Sequence, residues 1–234
     1  DAWLIEGSST WVIHVPDRAS GPDQSLRMMG LLDGEGFSQF AVTYRNQPGQ
    51  PSDAAGLMTF GVGERDDVAA AIAHAREAGA GAVFLVGYGS GGAVVVAELY
   101  RDPGVAGVIL DGPVLDLKSS VFHTASSTEG LIGSLPWTVR EMGAVLASLR
   151  YGITWETTDY LERANQITVP VLVLHGDEDA DHPISDSRTL AESRPDVVKL
   201  VEIAGAGADR AWNLDPDAYR SAVLDFLDRA RAGR

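Results

Sequence analysis

The sequence contains no cysteine among its 234 residues. This absence excludes disulfide bonds, thiol nucleophiles and cysteine-ligated metal sites, and it leaves the cellular compartment open. We predict neither a metal site nor a cofactor for this chain.

Basic residues and long apolar runs are also scarce. The chain has 18 lysines and arginines against 33 aspartates and glutamates, a formal net charge of −15. Such an acidic chain argues against nucleic acids and anionic membrane surfaces as partners. No apolar run approaches the roughly 18 residues that span a bilayer. We therefore expect a soluble protein, with the cytoplasm favoured, and the start at Asp1 without methionine or a signal-like segment favours a mature or trimmed product.

The pattern of the remaining residues predicts one α/β domain. Hydrophobic residues make up 45% of the chain, and its length is sufficient for one sizeable core. Strands predicted at 3–6, 37–44, 82–86, 105–110 and 198–203 alternate with helices, among them 64–78 and a last helix that starts at 215. Strands that alternate with helices imply a mostly parallel central sheet flanked by helices.

Four glycines follow the predicted strand 82–86. They are Gly87, Gly89, Gly91 and Gly92, and a helix is predicted to start directly after them. So tight a strand-to-helix turn needs residues without a Cβ. The layout is that of the nucleophile elbow G-x-S-x-G, which raises a serine above a sheet. Here glycine stands at the serine position, residue 89.

The whole chain resembles α/β-hydrolases, most closely bacterial serine hydrolases of the esterase and peptidase type. Their elbow usually reads V-G-[YW]-S-x-G-G, and residues 86–92 of this chain fit it everywhere except at the nucleophile. The resemblance implies an α/β-hydrolase fold over residues 1–234 and a small ester- or amide-like ligand. A second register remains open, in which Ser90 is the nucleophile. It puts the bulky Tyr88 where a small residue is needed and misplaces the glycine pair.

The resemblance also assigns the other two positions of a catalytic triad. The segment 169–179 reads as a strand that runs into His-Gly-x-x-Asp, which gives Asp179 the role of orienting a histidine. The family histidine would stand in the loop after the strand 198–203, where relatives carry G-A-G-H. This chain has Ala208 there, and no histidine follows His182. Alanine cannot move a proton, so the usual base is missing.

The loop after the first buried strand, predicted at residues 11–15, departs from the family as well. Relatives use a His-Gly loop there, and a backbone N–H of that loop faces the developing oxyanion. This chain has Pro16, which has no N–H, and Asp17, which would repel an oxyanion if it pointed inward. Ser90 is expected to begin the helix and to offer its N–H to the oxyanion site.

The segment 115–165 interrupts the strand–helix alternation and is predicted to be a helical cap insertion. Val139, Met142, Leu146 and Leu149 lie at helical spacing within it, and we expect them to pack the cap onto the core. Trp137 is the best candidate there for lining a pocket, and His182 is either a substitute base or a solvated loop residue. Five residues are thus predicted to bind substrate: Pro16, Asp17, Tyr88, Trp137 and His182.

Three functional hypotheses follow. The first is a hydrolase of ester or amide bonds that still works through Ser90 or an unorthodox base. The second is a natural pseudoenzyme that keeps the pocket for binding or for a non-hydrolytic reaction. The third is an esterase disabled in the laboratory at Gly89 and Ala208. The altered oxyanion loop favours the second hypothesis, because a knock-out at two positions would not need it.

Overall fold

A computed structural model describes residues 2–54, 56–127, 134–208 and 210–232. Seven strands form a single sheet in the order β1-β3-β2-β4-β5-β6-β7. Only β1 runs antiparallel, beside β3, and every other neighbouring pair is parallel. The strands are β1 (Ala2–Ile5), β2 (Thr10–Val15), β3 (Ser38–Val42), β4 (Ala82–Tyr88), β5 (Gly107–Asp111), β6 (Val171–Gly176) and β7 (Val198–Ile203). The predicted parallel sheet is confirmed.

Helices cover both faces of this sheet. Alternate residues of a strand point to opposite faces, and in β4 Leu85 belongs to one buried apolar cluster and Phe84 to the other. The strands read as continuous apolar runs because both of their faces are buried. The α-helices are α1 (Leu26–Leu31), α2 (Arg65–Glu77), α3 (Ser90–Leu99), α4 (Leu117–Ser127), α5 (Trp137–Tyr151), α6 (Ile184–Ser193), α7 (Ala211–Leu214) and α8 (Pro216–Ala232).

Two predicted helices lie where their apolar spacing placed them. In α2 the stripe that includes Val68, Ile72 and Ala75 is buried against the first cluster. In α8 the stripe that includes Tyr219 and Val223 packs on the second cluster, at the opposite face of the sheet. Both helices begin within two residues of the predicted start.

The segment between β5 and β6 holds α4, α5 and two 3₁₀ helices, Trp155–Thr158 and Leu161–Gln166. Residues 128–133 of the predicted cap lie outside the described residues. The expectation that α5 packs its large apolar residues onto the core is wrong. Val139, Met142, Leu146 and Leu149 are all exposed, because α5 turns the small residue Ala144 inward instead.

No helix in the described part of the chain is long and apolar enough to cross a membrane.

His14, in the middle of β2, is fully buried, and its Nδ1 lies 3.2 Å from the Tyr88 hydroxyl. Burial lowers the pKa of His14 to about 4, so the ring is neutral in the folded protein at pH 5, whereas an unfolded histidine is mostly protonated there. The pKa of His14 is lower in the folded chain than in the unfolded chain. As the pH falls below the unfolded-state pKa, protons bind mainly to the unfolded chain, and the free energy of unfolding decreases. We expect the native chain to lose about 2 kcal/mol more unfolding free energy between pH 7 and pH 5 than the variant His14→Gln. Urea unfolding of both proteins at the two pH values measures this difference, and equal losses would contradict it.

Candidate active site

The turn between β4 and α3 consists of one residue, Gly89. Its backbone has φ 51° and ψ −119°, a conformation that residues with a side chain rarely adopt. The neighbouring glycines make close backbone approaches. A Cβ on Gly87 would lie 2.7 Å from the Cα of Gly92, and a Cβ on Gly91 would overlap the backbone carbonyl of Val15. Close backbone packing therefore demands glycine at residues 87 and 91, and Ser90 begins the helix.

The carboxylate of Asp17 occupies the space above this turn. Its Oδ2 accepts the backbone N–H of Ser90 at 2.9 Å and the hydroxyl of Ser90 at 2.8 Å. A Cβ on Gly89 would lie only 2.6 Å from the same oxygen. The inward orientation that the sequence left open is therefore the one that the structure has. An acidic side chain of this protein accepts the N–H that would otherwise be available to an oxyanion.

Asp17 is ionised at neutral pH. Burial alone would raise the pKa of its carboxyl group, but hydrogen bonds from the Ala19 N–H and from Ser90 outweigh burial and lower it. A carboxylate with a lowered pKa is a weak general base. The hydroxyl of Ser90 also accepts the N–H of Arg18 at 2.8 Å, so both hydrogen-bonding functions of this hydroxyl are satisfied by the loop.

Three side chains fix the loop that carries Asp17, and the sequence pattern did not indicate the two glutamines among them. Gln24 Oε1 accepts the N–H of Asp17 at 2.7 Å, and the buried Gln47 donates to the Asp17 carbonyl at 2.9 Å. The Tyr44 hydroxyl donates to the Pro16 carbonyl at 2.9 Å. Gln47 lies in the polar stretch 43–53 after β3, and nothing in the sequence distinguishes it from its polar neighbours.

Asp179 lies in the loop after β6 and is almost fully buried. Its Oδ1 accepts the backbone N–H groups of Asp181 and His182 at 2.8 and 2.9 Å. Its Oδ2 lies 3.5 Å from His175 Nε2 and 3.8 Å from His182 Nδ1. Burial would raise the pKa of Asp179, but the hydrogen bond from His175 and the contacts with His182 lower it below its usual value. His175 is buried, and its Nδ1 lies 2.7 Å from the hydroxyl of Ser187, so this ring is held within the structure and does not face the cleft.

Gly89, Ser90 and Ala208 line one cleft of about 600 Å³, at the carboxyl ends of the parallel strands. Asp17 and His182 line the same cleft, whereas Asp179 does not line it and lies 3.8 Å from the His182 ring. The other lining residues are Arg18, Ala19, Ser20, Phe60, Val114, Leu117, Ser120, Val121, Thr124, Ala125 and Asp181.

Three residues predicted to bind substrate do not line the cleft. Tyr88 is buried in the core below the elbow beside His14, because the last residues of β4 point into the sheet packing. Pro16 turns its carbonyl toward Tyr44. Trp137 is the first residue of α5 and is largely exposed.

A second, more apolar cavity of about 430 Å³ adjoins the cleft. Phe60 and Leu117 line both spaces. Phe60 has φ 50°, which is rare for a residue with a side chain, and its carbonyl accepts the Tyr160 hydroxyl at 2.6 Å. The strained Phe60 is therefore held at the boundary between a polar and an apolar compartment.

Solved structures that resemble this one have a common architecture. An esterase from Pyrococcus furiosus aligns with a TM-score of 0.76 and 20% identity, over 97% of this chain and 85% of that chain. Alpha/beta hydrolase domain-containing protein 10 from mouse aligns with a TM-score of 0.72 and 18% identity, over 97% and 93%. A monoacylglycerol lipase from Paleococcus ferrophilus aligns with a TM-score of 0.68 and 20% identity, over 98% of each chain.

The chain has the α/β-hydrolase fold. Neither a scan against protein-family models nor a search of curated proteins finds a match to this sequence. At such low identity the structural likeness establishes the fold and no particular reaction.

In the α/β-hydrolase fold the strand–helix turn presents the nucleophile, and the oxyanion is held by the N–H of the residue after it. In this chain those places correspond to Gly89 and to the N–H of Ser90, which Asp17 already occupies. His182 is the one imidazole of the cleft lining, and its ring contacts Asp179 at 3.8 Å. Within the described residues no group of three or more histidine, aspartate or glutamate side chains could hold a metal ion.

Proposed function

We propose that this chain is a serine-hydrolase relative that binds a small, partly apolar molecule in its cleft and does not hydrolyse esters as it stands. The observation that carries the proposal is the Asp17 carboxylate, which lies over Gly89 and accepts the N–H and hydroxyl of Ser90. Hydrolysis through a tetrahedral intermediate needs that N–H for the oxyanion, and a fixed negative charge there repels one. Gly89 and Ala208 stand at the positions of the nucleophile and the base, and neither residue can perform that role. Their presence also opposes hydrolysis.

The position of Asp17 also bears on the origin of these substitutions. An esterase disabled only at residues 89 and 208 would keep an open oxyanion site. Here a third residue fills that site, and Gln24, Gln47 and Tyr44 hold its loop in place. This supports a natural pseudoenzyme over a protein disabled in the laboratory.

The ligand class follows from the two adjoining cavities. The cleft offers Ser120 and His182 for hydrogen bonds, and the neighbouring cavity is lined largely by apolar groups such as Met58 and Ile153. A molecule with a polar group and an apolar chain, such as an ester or amide, would match both spaces.

We expect the native chain to show no burst and no turnover of p-nitrophenyl acetate or butyrate above that of a Ser90→Ala variant. Loss of the serine or the histidine of a triad costs about 10⁶ in kcat, and loss of both costs about as much because they act as a unit. Steady-state assays and mass spectrometry after treatment with a fluorophosphonate measure this. A fluorophosphonate adduct on Ser90 would contradict the proposal.

The second candidate function is hydrolysis by Ser90 with His182 as an unorthodox base. The observation in its favour is that both line the cleft and that the His182 ring lies beside Asp179. Turnover that is lost in both Ser90→Ala and His182→Ala would establish this alternative.

A further inference from the structure

Helix α5 presents its large apolar side chains to solvent. Leu149 is 80% exposed, Trp137 68%, Met142 65% and Leu146 61%. Every residue of α5 is described, and only Ala144 among them is buried. A surface helix normally buries its apolar stripe against its own domain, so the amphipathic pattern of α5 is inverted.

The exposed stripe has the spacing of a helix–helix seam. Val139, Met142, Leu146 and Leu149 follow one another at intervals of three, four and three residues, the a and d positions of a heptad. On a helix this stripe lies roughly opposite Ala144. Gly143 lies beside the stripe, and a Cβ there would meet no atom within 4 Å, so another helix can approach closely. A narrow a/d stripe is typical of a face that packs on one other helix.

Polar contacts, rather than the stripe, attach α5 to its own domain. Lys118 Nζ lies 2.8 Å from Glu141 Oε2, and Trp155 Nε1 donates to the Ala144 carbonyl at 3.3 Å. These contacts fix the orientation of α5, so the stripe stays free to meet a partner.

We propose that the stripe is the interface between two copies of this chain, which pair α5 against α5. The exposed parts of its four residues and of the adjacent Val145 amount to on the order of 550 Å² per copy, so the pair buries about 1,100 Å², above the roughly 1,000 Å² that a specific interface needs. An isologous pair needs one self-complementary patch, and an apolar a/d seam is such a patch.

The charge distribution favours the same pairing. The chain carries a net charge of −15, so two copies repel each other over most of their surfaces. Helix α5 itself contains two arginines, Arg140 and Arg150, against one glutamate, Glu141. The rest of the chain therefore carries all of the net negative charge. Two acidic chains therefore meet less repulsion at α5 than at a surface of average charge.

Sedimentation equilibrium with light scattering tests the pairing. We expect the native chain to have twice the mass of one chain at micromolar concentrations. The variant Leu146→Glu with Leu149→Glu should raise the dissociation constant of the dimer at least about 100-fold, because each change removes a central apolar contact from both copies and adds buried charge. Leu26→Glu is the matched control, since Leu26 is a similarly exposed leucine outside α5, and it should leave the dimer intact.

Folding is not at risk in these variants, because all the replaced side chains are exposed; circular dichroism checks it. A native chain that stays monomeric would overturn the proposal. So would a dimer that survives the double substitution. Flotation with phosphatidylcholine vesicles gives the competing outcome, since a monomer that binds vesicles through α5 would assign the stripe to a lipid surface.

Discussion

The triple variant Asp17→Ala, Gly89→Ser, Ala208→His is expected to hydrolyse p-nitrophenyl acetate at least about 10³-fold faster than the native chain, whereas Gly89→Ser with Ala208→His alone stays near the native rate. A Cβ at position 89 would lie 2.6 Å from Asp17 Oδ2, so a serine there meets the carboxylate first. The same carboxylate keeps the Ser90 N–H from an oxyanion, and losing one such donor costs about 10² to 10³ in kcat. Replacement by alanine removes the carboxylate and keeps the Cβ of residue 17.

Two controls separate the causes in this experiment. Asp17→Ala alone should remain inactive, because it supplies neither nucleophile nor base. Asp181→Ala, combined with the two restoring changes, removes a different acidic residue of the cleft and should not rescue activity. Equal rates in the double and triple variants would show that Asp17 does not obstruct the site. A folded but inert triple variant would show that further parts of the site are lost.

The second large effect concerns stability. We expect Gly91→Ala to lower the free energy of unfolding by about 3 kcal/mol or more. Its Cβ would overlap the carbonyl groups of Val15 and Pro16, which are backbone atoms at the end of β2 and cannot turn aside as a side chain can. Urea unfolding measures the loss.

Gly30→Ala is the matched control for this substitution. Gly30 is also a helical glycine, but a Cβ there would meet no atom within 4 Å. Alanine should therefore raise the unfolding free energy by up to about 1 kcal/mol through helix propensity. If Gly91→Ala unfolds at the same urea concentration as the native chain, the close approach of α3 to β2 is not what demands glycine at position 91.

Helix α5 shows what apolar periodicity can and cannot predict. The apolar spacing of α5 correctly predicted a helix, but the spacing alone cannot tell a face that packs on the core from one that packs on another chain. The structure shows that the inward side of α5 is occupied by Ala144 and that Leu146 and Leu149 point away. Trp137, the first residue of α5, is also exposed and lines neither the cleft nor the apolar cavity beside it.

The sequence by itself determined the α/β architecture, the glycine turn after β4, and the lack of serine and histidine at positions 89 and 208. These features follow from strand and helix periodicity and from local motifs, which act between residues close together in the chain. Only the tertiary structure decided where Asp17 points and what its carboxylate contacts. The hydrogen bond from Ser90 to Asp17 joins residues 73 positions apart, and the direction of that side chain depends on Gln24, Gln47 and Tyr44. Contacts between distant segments depend on how strands and loops pack together, which no local pattern encodes.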